Sequence, residues 1–216
     1  MTTRNLLILL ILMAVVAIGT WMKVSNRGSD ASPTAIAAVE KERGSGFVSY
    51  MIHEHSVPGG EVAFYIRKES KDQIGIAADF VRKSSKGWSW GYGGSFGASN
   101  YRLGLTDAEA RKETFHAEYF PSTAGSSFGS SPFPMVYGVV LHPDIARITV
   151  KDYSTEVEKQ AELIEVEQNF KLFYVFVDPS QGTKFDVIGY AANGSVVHKE
   201  TKDESRPYQV STTKVD

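Results

Sequence analysis

His53-Glu54-His55 is the segment whose residue types come nearest to a reactive group. On an extended strand, residues two apart point to one face, so the imidazoles stand side by side in the spacing of a two-histidine metal grip. A usable site needs at least a third ligand, and His116, Glu118 and His142 are the donors on offer, at distances that spacing does not fix. The competing reading puts both histidines on a solvent face just before the Pro58-Gly59-Gly60 turn. Val48, Tyr50 and Ile52 alternate with them and form the opposite, apolar face. The solvent-face reading is the expected one, with neither metal nor cofactor.

A second pattern lies in KGWSWGYGGSFG, from Lys86 to Gly97. Trp88, Trp90 and Tyr92 occupy alternate positions, with Ser89, Gly91 and Gly93 between or beyond them, so an extended strand puts the three rings on one face. Exposed, such a row stacks on sugars or other flat ligands, and the three rings are the ligand-binding candidates. Buried, it supplies roughly 150–250 Å² of burial per ring, and the small residues behind it let another layer approach. The first half of the chain is poor in Leu, Ile and Val, so the row is expected to serve mainly as core. Gly93-Gly94 and Gly97 read as a bulge or a loop tip.

Other chemistries find little support. Gly125-Ser126-Ser127 and Gly129-Ser130-Ser131 lie in a stretch of small residues, not at the strand-to-helix elbow of a G-x-S-x-G nucleophile. Gly91-Tyr92-Gly93-Gly94 opens no helix and fits neither phosphate-binding glycine pattern. No local signature pairs two carboxylates for glycoside hydrolysis. Glu156 to Glu167 is read as a solvated acidic face. The chain has no cysteine, which excludes disulfides, thiolate zinc sites, cysteine nucleophiles and a lipid-modified cysteine. A net charge of −2 gives no reason to expect nucleic acid as a partner.

The elements that must position these residues are mostly strands. Hydrophobic residues are 42% and charged residues 22% of the 216, ordinary for a chain that folds around a core. Phe47–Val57, Glu61–Lys68, Ile74–Arg82 and the aromatic stretch, joined by short turns, predict an antiparallel meander. Thr106 and Glu109 make a T-x-x-E capping box, so a short helix runs to about Lys112 before Phe115, Ala117 and Tyr119 alternate again. Pro121 to Pro134 is small and proline-bounded, the expected connection. Met135–Leu141, Ile145–Tyr153, Glu162–Gln168, Leu172–Val177 and Phe185–Tyr190 follow, and Asn193-Gly194 marks a clear hairpin. This series predicts a β-sandwich.

Asn5 to Trp21 is seventeen residues without a formal charge, between Arg4 and the pair Lys23 and Arg27. As a helix it spans roughly 25 Å, near the lower limit for a membrane crossing, and Trp21 and Lys23 extend it at the interface. An uncleaved anchor is the expectation. The alternative is a signal peptide cut near Ala17-Ile18-Gly19, where Trp21 and Met22 make the site a weak one. Ser25 to Pro33 reads as a linker, and Thr34 to Arg43, with good helix formers ending at Gly44, reads as a short helix or a mobile spacer.

FPMVYGVVLHPDIARITV, LFYVFVD and FDVIGYAANGSVV, with GGEVAFYIRK and GWSWGYGG upstream, resemble a recurring pattern in uncharacterised membrane-anchored extracytoplasmic proteins of Gram-positive bacteria. The resemblance covers roughly residues 47–199. It implies an anchored, mostly β surface protein and brings no activity or catalytic residue.

The expected architecture is therefore mainly β. Residues 1–23 are an anchor or signal peptide, 24–45 a linker and helix, 46–120 a β-meander with a short helix and 121–134 a connection. Residues 135–200 are a sandwich-like, Ig-like module, and 201–216 a polar tail. The expected role is binding at the cell surface without catalysis. The membrane is held through the N-terminal helix, and the main domain is extracytoplasmic with a protein or cell-wall partner. An envelope-acting hydrolase or metal-dependent enzyme is the alternative.

Overall fold

Turn chemistry and side-chain alternation cut this chain into short antiparallel strands, and a computed structural model shows how they stack. It describes residues 31–67, 75–97, 106–113, 115–166 and 170–205. The expected anchor at 1–23 and the polar end at 206–216 lie outside the described residues. Among the described residues, no helix is long and apolar enough to cross a membrane.

The protein is mainly β, with antiparallel sheets and short helices. Sheet A is a meander in the order β1 (Val48–Val57), β2 (Gly60–Arg67), β3 (Gly75–Ser84), β4 (Gly87–Gly97). Sheet B has the order β5 (Phe115–Phe120), β6 (Met135–Val140), β10 (Phe170–Phe176), β9 (Glu162–Val166). Sheet C has the order β12 (Val196–Asp203), β11 (Lys184–Ala191), β7 (Ile145–Asp152), β8 (Glu158–Gln160). The stretch 121–134, expected to connect two β regions, runs between two strands that pair with each other, β5 and β6. β12 extends to Asp203, into the expected tail.

Two α-helices and a 3-10 turn (Pro179–Gln181) complete the described elements, and both α-helices follow their capping residues. In α1 (Ala35–Arg43) the Thr34 hydroxyl accepts from the Ala37 N–H at 3.1 Å, and Gly44 ends the helix at φ 111°. Ahead of α2 (Asp107–Glu113) Glu109 Oε2 accepts from the Thr106 N–H at 2.9 Å, as the capping box requires.

The layers run α1, sheet A, sheet B, sheet C. Ala35, Ala38 and Val39 of α1 pack on Ala63, Tyr65, Ala77 and Val81 of sheet A. The other face of sheet A, with Val62, Phe64, Ile76 and Phe80, meets Met135, Tyr137, Leu172 and Tyr174 of sheet B. Val136, Phe173 and Val175 on the far face of sheet B meet Ile148, Val150, Phe185 and Val187 of sheet C. Sheet B is thus covered on both sides. This is the physical reason for the unbroken apolar runs MVYGVV and LFYVFV, since a strand buried on both faces has no polar side to alternate with.

Candidate functional site

The aromatic row does not share a face. Phe80 pairs with Tyr92 but Val81 pairs with Trp90, so β4 advances two residues where β3 advances one. Gly91 is the extra residue of a β-bulge. Trp88 consequently packs on the α1 side with Val81 and Tyr65. Tyr92 points the other way and meets the rings of Phe120 and Phe133 at 6.1 and 5.8 Å. Phe128, from the loop before β6, stands over the edge of β4 at 6.0 Å from Trp90 and 5.1 Å from Tyr92. All three candidate rings are half-buried. Gly93 and Gly94, read from sequence as a bulge or loop tip, instead pair in register with Asp79 and Ala78.

Trp90 belongs to a buried polar cluster. Its Nε1–H donates to Asp79 Oδ1 at 2.9 Å, and Arg43 at the end of α1 donates Nη2–H to the same oxygen at 2.8 Å. The Tyr65 hydroxyl donates to Asp79 Oδ2, and the Arg43 guanidinium lies 5.2 Å from the Trp90 ring centroid. Asp79 and Tyr65 are fully buried. Burial and the adjacent carboxylate push the Tyr65 hydroxyl far above its ordinary pKa, so it stays a proton donor. With three donors on one carboxylate, the cluster is spent on joining α1 to sheet A.

The histidines also face a direction that alternation misses. Met51 pairs with Tyr65 and His53 with Phe64, a second bulge, which inserts Ile52. Beyond it the phase is reversed, so His53 and His55 turn toward sheet B rather than solvent, which corrects the expected solvent face. His53 Nε2 lies 3.1 Å and His55 Nδ1 3.0 Å from the Tyr174 hydroxyl on β10. The hydroxyl has one proton, so it donates to one imidazole and accepts from the other, and the two tautomers are complementary. Burial, then the neighbouring His55, lowers the His53 pKa, while Glu162 and Glu54 oppose that shift. Burial and Glu162 push Tyr174 up to about 12.

The donors considered as a third ligand lie elsewhere. His116 Nε2 and Glu118 Oε1 are paired at 2.8 Å on β5, the opposite edge of sheet B from β9. His142 accepts the Asp144 N–H at 3.2 Å in the turn before β7. Among the described residues, no three His, Cys, Asp or Glu side chains are grouped to hold a metal.

That turn forms one wall of an open groove of about 740 Å³. Arg111 of α2 and the Asn193-Gly194 hairpin form its other walls. Arg111 grips Asp144 through both terminal nitrogens, with Nη2 at 3.0 Å from Oδ1. The Arg111 hydrogen bond holds the Asp144 carboxyl below its ordinary pKa. Asn193 Oδ1 accepts from the Ser195 N–H at 3.0 Å and from its hydroxyl at 2.7 Å. Ala146, Ala191 and Val197 add an apolar lining between these polar groups. A smaller cavity of about 150 Å³ lies beside Tyr153, Glu156 and Asp186. Its Asp152 accepts from the Ser154 and Val157 N–H groups at 2.9 and 3.1 Å and from Gln181 Nε2 at 2.8 Å, and so clamps the loop.

Sequence reasoning missed Asp79, Tyr174 and the groove. Asp79 carried a signal, since a lone acid inside the apolar run IGIAADFV demands a buried partner. Tyr174 carried none, as a tyrosine within LFYVFV reads as core. Compared with family models, curated proteins and solved structures, the chain matches none.

Proposed function

We propose that this protein is a membrane-anchored, extracytoplasmic binding protein without a catalytic role. In this reading, residues 115–203 are an immunoglobulin-like sandwich whose loop end recognises the partner. Taking β5 to β12 as A, B, C, C′, D, E, F and G, the sheet orders become A-B-E-D and G-F-C-C′, the arrangement of such sandwiches. The observation that carries the reading is where the groove falls. His142, Pro143 and Asp144 are then the B–C loop, and Ala192, Asn193 and Ser195 the F–G loop, the pair that recognises ligands in variable domains.

Apolar patches set between an ion pair and an amide suit a protein surface or a wall component. The charge-free stretch from Asn5 to Trp21, with Lys23 and Arg27 behind it, supports the anchor. A photo-crosslinking residue placed at Asn193 in intact cells is expected to capture a surface partner, and one at Ser180 is not. Equal labelling at both positions would sink the loop-end assignment. Protease added to intact cells is expected to degrade the domain, and protection would place it on the other side of the membrane.

A further inference from the structure

The described residues begin beside the β3–β4 hairpin, where Ser32 bridges Trp88. The Ser32 N–H donates to the Trp88 carbonyl at 2.6 Å, and the Trp88 N–H donates to the Ser32 carbonyl at 2.9 Å. The chain is therefore pinned to the start of β4 at residue 32. Only residues 24–31 separate Lys23 from that pin. At 3.3–3.6 Å per residue, even a fully extended linker spans at most about 30 Å. If residues 5–21 cross a bilayer, the Ser32–Trp88 pin stands within about that distance of its surface, and the β3–β4 tip lies only two to three residues from Trp88.

The tip has the chemistry of a headgroup contact. Lys83, Ser84, Ser85 and Lys86 are exposed, and Lys83 Nζ lies 5.0 Å from the centroid of the half-buried Trp88 ring. The β1–β2 turn lies alongside, since the Lys83 N–H donates to the Gly59 carbonyl at 2.9 Å. Nearby acids are Glu54 and Glu61. Burial, then Glu54, raises the Glu61 carboxyl, and Lys83 opposes that shift. Arg82 is engaged with the carbonyls of Phe128 and Ser130. Lys83 and Lys86 thus project at the tip as its exposed cations.

We propose that the β3–β4 tip docks on anionic phospholipid headgroups of the membrane that holds the anchor, so that the domain lies against the bilayer in a fixed orientation. Basic side chains at an anionic surface and an interfacial tryptophan both favour that contact. The proposal rests on the membrane-anchored reading, and the test separates the two.

The chain has no cysteine, so Ser85→Cys gives the full-length protein a single labelling site, and Ser180→Cys on the β10–β11 connection gives a control. Each is labelled with a fluorophore and reconstituted into vesicles carrying a headgroup-quencher lipid. One vesicle set contains phosphatidylglycerol and the other phosphatidylcholine alone. Quenching at position 85 is expected to be severalfold stronger with phosphatidylglycerol, and to fall when Lys83→Gln and Lys86→Gln are added. Position 180 is expected to be the same in both lipids. Quenching at 85 that matches 180, or that ignores lipid charge, overturns the docking. Alkaline extraction of the same vesicles reports the anchor. Retention without preferential quenching defeats the docking alone, whereas release of the chain defeats the anchor and the docking with it.

Discussion

Asp79 sits in the middle of sheet A with no solvent contact, held by donors from α1, β2 and β4. A buried carboxylate is tolerated only while it is paired, and removing a partner leaves its desolvation uncompensated. Arg43→Ala is expected to cost about 3 kcal/mol, the low end for a broken buried pair because the arginine is partly exposed. Urea denaturation checks it, and a loss within ordinary surface values would demote the cluster. Tyr174→Phe strips the hydroxyl from between the half-buried His53 and His55 and is expected to cost about 1 kcal/mol, the low end for polar groups left unpartnered because both imidazoles keep some solvent contact. The same site sets a pH dependence. The folded pKa of His53 lies below its ordinary value, so between the two the unfolded chain binds more protons. Its stability contribution is full above about pH 6.5 and falls as the pH drops toward the folded value. His53→Gln is expected to flatten that decline between pH 8 and pH 5, and an unchanged slope would contradict it.

At the scale of elements, both edges of sheet A are bulged. β1 shifts register twice and β4 once, while the pairing of the inner strands β2 and β3 is regular. Bulges disturb the unpaired edge that would otherwise invite another strand. They also re-aim side chains, and here they turn His53 and His55 inward and divide Tyr92 from the tryptophans. Glycine makes the β4 edge fit. A Cβ on Gly93 would stand 1.9 Å from Asp79 Oδ1 and 2.5 Å from the Ala78 carbonyl oxygen, so the strand or the carboxylate would have to move. Gly93→Ala is expected to destabilise by about 2 kcal/mol or more, as overpacking does. In an Arg43→Ala background the loss is expected to shrink, because the two act on one carboxylate. Full additivity in a double-mutant cycle would disconnect them.

Over the whole molecule, α1 is an outer layer of the core. Ala35, Ala38 and Val39 are buried by it, and it carries Arg43 to Asp79. A fragment beginning near Gly44 would uncover Tyr65, Ala77 and Val81 and leave Asp79 without its cation. A chain starting at residue 45 is expected to be less stable than one starting at residue 31 by roughly 3 kcal/mol or more, from the lost pair and the exposed apolar surface. Coincident urea midpoints for the two fragments would refute this.

Strand alternation, turn residues and capping boxes act over a few positions, so the sequence alone carried the antiparallel β class, the helix behind the Thr106–Glu109 capping box and the Asn193-Gly194 hairpin, and left Thr34–Arg43 between helix and spacer. It carried a signal at Asp79, an acid inside the apolar run IGIAADFV, that alternation alone passes over. Only the tertiary structure decided that β5 pairs across 121–134 with β6, because pairing at that separation depends on which surfaces bury one another. It likewise decided that MVYGVV and LFYVFV lie between two sheets, and that His53, His55 and Tyr174 meet. The aromatic row and the histidine pair were misplaced for one reason. A period-two pattern fixes a face only while the register holds, and each bulge, at Ile52 before the histidines and at Gly91 within the aromatic row, reverses the side chains beyond it.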